Sequence, residues 1–403
     1  MSKNNKRMSL IILLITSTLF LSSCSQVNSI SKLDIEKKST TRVTPSISPT
    51  KSPATLVKKL PVPVVRGVYL NVWTLTNTTK LNEIINLAKT TELNTVVIDI
   101  KGDDGFVSYQ SAVPMVKSIG AVSNRVNINN TLKLFHDNNI YVIGRVVCFK
   151  DSLLAKSRPD LSFKAKDGSL WRDFSGMPWV NPSKKENWKY IIDISKEAID
   201  KGFDEIQFDY VRYGNEGNVK NIDFGPGFDP TKKPDIIAEF LNTAYKTLSN
   251  EKNVKVSADI FGIAAITTAD DNIVGQNLEK VAKEVNVVCP MIYPSHFANI
   301  KQNKVGQTIN NITFQKPDLD PYNVVFQTMT IIKKRMEQNE LKSIIRPYLQ
   351  AFSASYLGNG YYQKYGASQV REQIRAIYDT GFKEWILWDS SSNYIASYFE
   401  KKK

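Results

Sequence analysis

Gly202-Phe203-Asp204-Glu205-Ile206-Gln207-Phe208-Asp209-Tyr210-Val211-Arg212-Tyr213 is the most informative stretch of the chain. A glycine in a helix-stop position leads straight into a strand. Glu205, Gln207 and Asp209 alternate with Ile206, Phe208 and Tyr210, so a period of two puts the three polar groups on one face. If the apolar set packs on helices, the polar set points into a barrel, where an unpartnered carboxylate is costly. A line of three polar groups therefore implies a site or a satisfied polar network. Gly381-Phe382-Lys383-Glu384-Trp385-Ile386-Leu387-Trp388-Asp389 echoes this stretch: a helix stop again feeds a strand that ends on Asp.

Outward from here, β-rich runs occur at 66–73, 95–101, 140–149, 205–213, 255–261, 285–294, 344–352 and 384–390. Most are nearly continuous apolar runs, as parallel strands covered on both faces require. Between them lie stripes at helical spacing, such as Leu81, Ile84, Ile85 and Ala88, or Ile237, Leu241, Ala244 and Tyr245. Trp188, Ile191, Ile192, Ser195, Ala198 and Ile199 form another, with Ser183-Lys184-Lys185-Glu186 as a predicted capping box and Gly202 as its stop. Val370, Ile374, Ile377 and Tyr378 form a stripe stopped by Gly381. Eight βα units predict a (β/α)8 TIM barrel over 61–403. The alternative, a doubly wound open sheet, lacks a Gly-x-Gly-x-x-Gly after the first strand. Residues 150–182 and 295–321 are long connections leaving strand ends, and would wall the active face.

In a barrel the C-terminal strand ends carry the chemistry. They offer Trp73, Asp99, Lys101, Arg145, Asp209, Asp259, Tyr293 with His296 beyond it, Gln350, Trp388 and Asp389. Arg212 lies near enough to the end of its strand for the loop to bring it to Asp209. Asp259 follows the small residues Ser257 and Ala258, which leave room for a ligand, although an Asp there also caps turns. Asp99 and Asp389 read equally well as loop caps, and Glu205 as the deep partner of an Arg or Lys. His136 sits in a helical stretch and reads as structural. Gly358 and Gly360 could cradle a phosphate, but an ordinary turn is the preferred reading.

The 403 residues are 42% hydrophobic and 23% charged, which excludes a disordered or collagen-like chain. Two His and three Cys are too few for a zinc ribbon, a multi-His metal centre or a disulfide scaffold. No cofactor and no metal are expected. The net charge is +14, yet the first 60 residues hold ten Lys/Arg against two Asp/Glu. More than half of the excess thus belongs to that segment, and a nucleic-acid partner loses its support. Lys3, Lys6 and Arg7 precede an apolar run from 9 to 21 that ends in Leu21-Ser22-Ser23-Cys24. This resembles a lipoprotein signal peptide, 1–24, with Cys24 as the lipidated residue. Residues 25–60, rich in Ser, Thr, Pro and Lys, read as a flexible, disordered tether. The expected location is the outer face of a bacterial membrane, with the folded domain extracellular and monomeric. Cys148 and Cys289 fall in apolar strand patterns and read as buried free thiols.

Arg66-Gly67-Val68-Tyr69-Leu70, Val97-Ile98-Asp99-Ile100-Lys101, Trp179 to Pro182, Cys289 to Pro294, Trp388-Asp389 and above all Asp204 to Tyr213 resemble a bacterial family of glycoside-hydrolase-like TIM barrels long labelled a domain of unknown function. The likeness runs from about Val65 to Tyr398. It implies a glycosidase-like barrel on a secreted or surface-anchored protein. Glycosidases with a Glu nucleophile on the seventh strand do not fit, because that strand offers Gln350. Barrels of the α-amylase and α-galactosidase type carry an Asp nucleophile at the end of the fourth strand, which Asp209 matches. Their acid comes from the fifth or sixth strand, so Asp259 is the nearest candidate, as Asp where amylases use Glu. The resemblance thus implies hydrolysis of an O-glycosidic bond by two carboxyl groups. Trp73, Tyr293 and Trp388 would stack on sugar faces, and Asp99, Lys101, Arg145, Arg212, His296, Gln350 and Asp389 would contact the polysaccharide. The rival readings are a non-catalytic carbohydrate-binding lipoprotein and a metal-dependent hydrolase with an all-carboxylate site.

Overall fold

The computed structural model describes residues 60–269 and 271–402. The predicted signal peptide with Cys24, and the predicted tether up to residue 59, lie outside the described residues. Eight parallel strands run β1 Arg66–Leu70, β2 Thr95–Lys101, β3 Tyr141–Val147, β4 Glu205–Asp209, β5 Lys255–Phe261, β6 Val287–Ile292, β7 Tyr348–Gln350 and β8 Trp385–Trp388. Each pairs with its neighbour in sequence, and β8 returns to β1 through Arg66↔Trp385 and Gly67↔Ile386. That last pairing closes the sheet and excludes the doubly wound alternative. The crossovers are α1 Thr78–Thr90, α2 Ile128–Asp137, α3 Lys185–Lys201, α4 Lys233–Tyr245, α5 Leu278–Glu284, α6 Pro321–Gln338 and α7 Ala367–Asp379. No helix among the described residues is long and apolar enough to cross a membrane.

The strands alternate as the sequence implies. Val68, Val96, Ile98, Val142, Ile206, Phe208 and Leu387 join the large apolar shell under the helices. Tyr69, Val97, Ile143, Cys289, Tyr348 and Ile386 form a separate cluster inside the ring. Gly144 of β3 has no room for a side chain: a Cβ there would meet Ile100 and would come 2.7 Å from Phe203 Cδ1. Cys148 and Cys289 are buried free thiols.

Several boundaries differ from the sequence reading. The first strand stops at Leu70, because Asn71 caps a short helix, Val72–Leu75, by accepting a hydrogen bond from the Thr74 N–H. The seventh is broken after Ile345, where Pro347 supplies no N–H, and resumes at Tyr348. The expected capping box of α3 does not form. Lys184 is the N-cap and makes no side-chain bond, while the Ser183 hydroxyl lies 2.8 Å from the Tyr213 hydroxyl. Gly202 does end α3, at φ 115°, and Gly381 sits in the same left-handed region after α7.

Candidate active site

The polar face of β4 finds its partners in layers up the barrel. At the bottom, Glu205 accepts a 2.6 Å bond from Arg346 Nη1, and Arg346 Nε donates to Glu384 at 2.7 Å. Both Arg346 and Glu205 are fully buried, so Glu205 is the structural ion-pair partner that its depth suggests. One layer higher, Gln207 Oε1 accepts from the Tyr348 hydroxyl at 2.6 Å and its Nε2 donates to Cys289 Sγ at 3.2 Å. His136 is likewise structural, with Nε2 2.8 Å from Asp204 Oδ2.

The third layer is the mouth, and Arg145 is its hub. Nε and Nη2 of Arg145 donate to Asp209 Oδ2 at 2.9 and 2.7 Å. Nη1 donates to Asp99 Oδ1 at 2.7 Å, and Nη2 also to Asp103 Oδ1 at 3.0 Å. Burial opposes the guanidinium charge, but the fields of Asp209, Asp99 and Asp103 outweigh it and hold the proton more tightly than usual. The Tyr69 hydroxyl donates to the other oxygen of Asp99 at 2.7 Å. Burial raises the Asp99 carboxyl above its ordinary range, against the pull of Arg145 and Tyr69. Asp209 Oδ1 accepts from the Tyr210 N–H at 2.6 Å. Tyr210 stands at φ 49°, a left-handed conformation unusual for an aromatic residue. Such strain persists where the surroundings enforce it, and here it turns the chain directly behind Asp209.

Asp259 lies beside Asp209, since the pairing Phe208↔Ala258 brings the next residues of β4 and β5 together. It is almost fully buried, and its Oδ1 has no hydrogen-bond partner. Burial first, and the Asp209 charge second, push its carboxyl well above the usual range. Below about pH 4 the folded and unfolded chains both hold this proton. As pH rises the unfolded chain releases it first, so stability falls until the folded carboxyl also ionises. Asp259→Asn removes that slope. Urea midpoints from pH 4 to 8 should show the native chain losing stability relative to the variant. A difference that does not change with pH contradicts the buried proton.

The other predicted residues divide into two groups. Tyr293 and Trp388 stand at the mouth in one aromatic cluster, ring centroids 5.9 Å apart, with His296 4.9 Å from Tyr293 and Tyr69 6.2 Å from Trp388. Trp73 is 67% exposed, and Arg125 lies over its ring at 5.4 Å. Four residues are taken up elsewhere and correct the sequence reading. Lys101 is fully buried, its ammonium 2.9 Å from Asp151 and 2.6 Å from the Val147 carbonyl, because the β2–β3 register shifts between Asp99 and Lys101. Gln350 is fully buried, bonding Asp318, the Phe352 carbonyl and the Ser295 N–H. Asp389 is a loop cap, accepting from the N–H groups of Ser391 and Asn393. Arg212 bonds the Tyr213 carbonyl, Asn215 and Glu216, not Asp209. Asp103 and Tyr69 are not among the residues that the sequence assigns to the site. Asp103 sits in the turn Lys101-Gly102-Asp103-Asp104-Gly105, whose signal is that of an ordinary loop. Among the described residues no group of three or more His, Cys, Asp or Glu could hold a metal ion.

A closed (β/α)8 ring with carboxyl groups gathered at the strand C-termini is the architecture of barrel glycosidases. Residues 67–394 match the family described as "Putative glycosyl hydrolase domain", and the chain belongs to that family. It is similar to the glycoside hydrolase domain of PgaB (BpsB) from Bordetella bronchiseptica, at 12% identity and TM-score 0.60, covering 82% of this chain and 95% of that one. It is also similar to a β-galactosidase from Marinomonas ef1, at 9% identity and TM-score 0.54, covering 80% of this chain and 53% of that one. A hypothetical protein from Ruminiclostridium thermocellum is 46% identical over 48% of this chain and 96% of its own, with TM-score 0.44. A comparison with curated proteins finds no match.

Proposed function

We propose that this chain hydrolyses O-glycosidic bonds of a cell-surface or extracellular polysaccharide, with Asp209 as nucleophile and Asp259 as acid. The observation that carries the reading is one pair of adjacent carboxyl groups in opposite surroundings. Asp209 is fixed by Arg145 and by the Tyr210 N–H, while Asp259 is buried with an oxygen unpartnered. A carboxylate held by hydrogen bonds beside a buried carboxyl with an unpartnered oxygen is the arrangement of a nucleophile and an acid. Asp209 would attack the anomeric carbon while the Asp259 proton passes to the leaving oxygen. Water would then cleave the glycosyl ester, returning a proton to Asp259. Trp73, Tyr293 and Trp388 would present ring faces to the sugar. The test is release of new reducing ends from bacterial cell-surface polysaccharides by the purified chain. Tight binding without new reducing ends favours the carbohydrate-binding alternative.

Lipidation of Cys24 would hold this activity at the outer face of the membrane, since two acyl chains anchor stably where one does not. Cys24→Ala is expected to move the protein from the membrane fraction to the soluble one. An unchanged distribution removes the anchor from the account.

A further inference from the structure

One feature of the same rim is not used by the two carboxyl groups. The segment after β7 turns through Ser355–Leu357 and reaches Tyr361. Two ammonium groups converge on the Tyr361 ring: Lys301 Nζ lies 5.7 Å and Lys316 Nζ 5.2 Å from its centroid. They come from opposite ends of the long connection after β6, Lys301 from the short helix Ile300–Asn303 and Lys316 from beyond the hairpin strand Ile312–Phe314. Lys301 Nζ also donates to the Leu357 carbonyl at 3.2 Å. Both lysine residues are exposed. Among the described residues neither forms an ion pair with an acid.

The backbone beneath them is shaped for this arrangement. Gly358 and Gly360 stand at φ 86° and 80°. A Cβ at Gly358 would come within 3.0 Å of Lys301 Nζ, and one at Gly360 within 4.0 Å of Lys316 Nζ. The turn of two glycines thus lets two like charges approach one aromatic ring. Two ammonium groups held against one ring repel, and an anion that meets both relieves that repulsion. Charge in the surrounding segments does not supply one. Across 295–320 and 353–365 the acids are Asp318 and Asp320. Asp318 is buried on Gln350 and Gln363, and Asp320 caps α6.

A hydrogen-bonded turn joins the patch to the mouth. Tyr293 packs on Trp388 and His296. The Tyr356 hydroxyl, on the turn that leads to Tyr361, donates to Ser295 Oγ at 3.2 Å. The turn Ser355–Leu357 thus runs from beside Ser295 toward Tyr361. We infer that Lys301 and Lys316, held against the Tyr361 ring, form an outer subsite for an anionic glycan, whose carboxylate or phosphate group meets the two exposed ammonium groups. The inference rests on the glycan reading of the mouth, and it narrows the substrate class to acidic polysaccharides.

The test is affinity electrophoresis of the full chain through gels containing polygalacturonate, poly(glycerol phosphate) or a neutral glucan. The first two separate carboxylate from phosphate. Retardation by at least one anionic polymer, beyond that by the neutral one, is expected. Lys301→Gln with Lys316→Gln should weaken it about fivefold or more, allowing for exposed charges. Lys283→Gln with Lys342→Gln, a change of equal charge elsewhere, should leave retardation unaltered. Equal loss in both double variants, or none in the first, overturns the subsite; so does the absence of retardation by either anionic polymer. Asp209→Asn separates the two readings. It should bind as the native chain does, and its failure to lose turnover would sink the nucleophile while leaving the subsite standing.

Discussion

Asp209→Asn should fold and should lose turnover by on the order of a thousandfold or more. The exchange preserves shape while removing the nucleophilic oxygen. It also removes an acceptor: Oδ2 of Asp209 takes two hydrogen bonds from Arg145 and Oδ1 takes one from the Tyr210 N–H. An amide offers only one oxygen, so one of these donors would face an NH2 group. The cost is about 1–3 kcal/mol of stability, which leaves a folded protein. Circular dichroism and a thermal melt check the fold, and a reducing-end assay checks the rate. Turnover within about tenfold of native, well short of the loss expected for a nucleophile, would remove Asp209 from its role.

Arg145→Met should destabilise the fold by about 3–5 kcal/mol, the range for breaking a buried ion pair from one side. The reason lies in the count of charges around one side chain. Asp99, Asp103 and Asp209 all accept from this guanidinium, and no second cation takes its place on Asp209 among the described residues. Without it the carboxylates repel one another, and protonation is their only relief. The loss should therefore be largest near neutral pH and shrink toward pH 3. Arg145→Lys should recover only part of it, since one ammonium cannot reproduce a fork that reaches three carboxyl groups. Urea denaturation at pH 7 and pH 3 measures both effects. A shift smaller than about 1 kcal/mol at pH 7, the scale of an exposed pair, would contradict the role of Arg145 as the hub.

The strands of the ring were legible because burial on both faces leaves a continuous apolar run, and 95–101 and 255–261 match their strands residue for residue. Asp209 and Arg145 were legible for a related reason. A charged side chain inside an apolar strand must face a partner, and the partners came from distant strands. Side-chain direction at the strand ends was harder to read. Period two from Asp99 turns Lys101 toward the mouth, but a one-residue irregularity sends it to Asp151 instead. Gln350 and Asp389 have the chemistry of ligands and the hydrogen bonds of loop supports, a difference that depends on where the loops return. Ser183 had the spacing of a cap, yet Tyr213 takes its hydroxyl. Asp103 sits in a turn of glycines and acids, where only the reach of Arg145 gives it meaning.

Azide rescue tests most directly whether Asp209 attacks the sugar. In Asp209→Gly the carboxyl is gone and a small anion can take its place at the anomeric carbon, with Asp259 still present to protonate the leaving oxygen. On a polysaccharide that the native chain cleaves, the account predicts that azide restores bond cleavage to Asp209→Gly and yields a glycosyl azide of configuration opposite to the substrate. No azide adduct, or an adduct that keeps the substrate's own configuration, would contradict it.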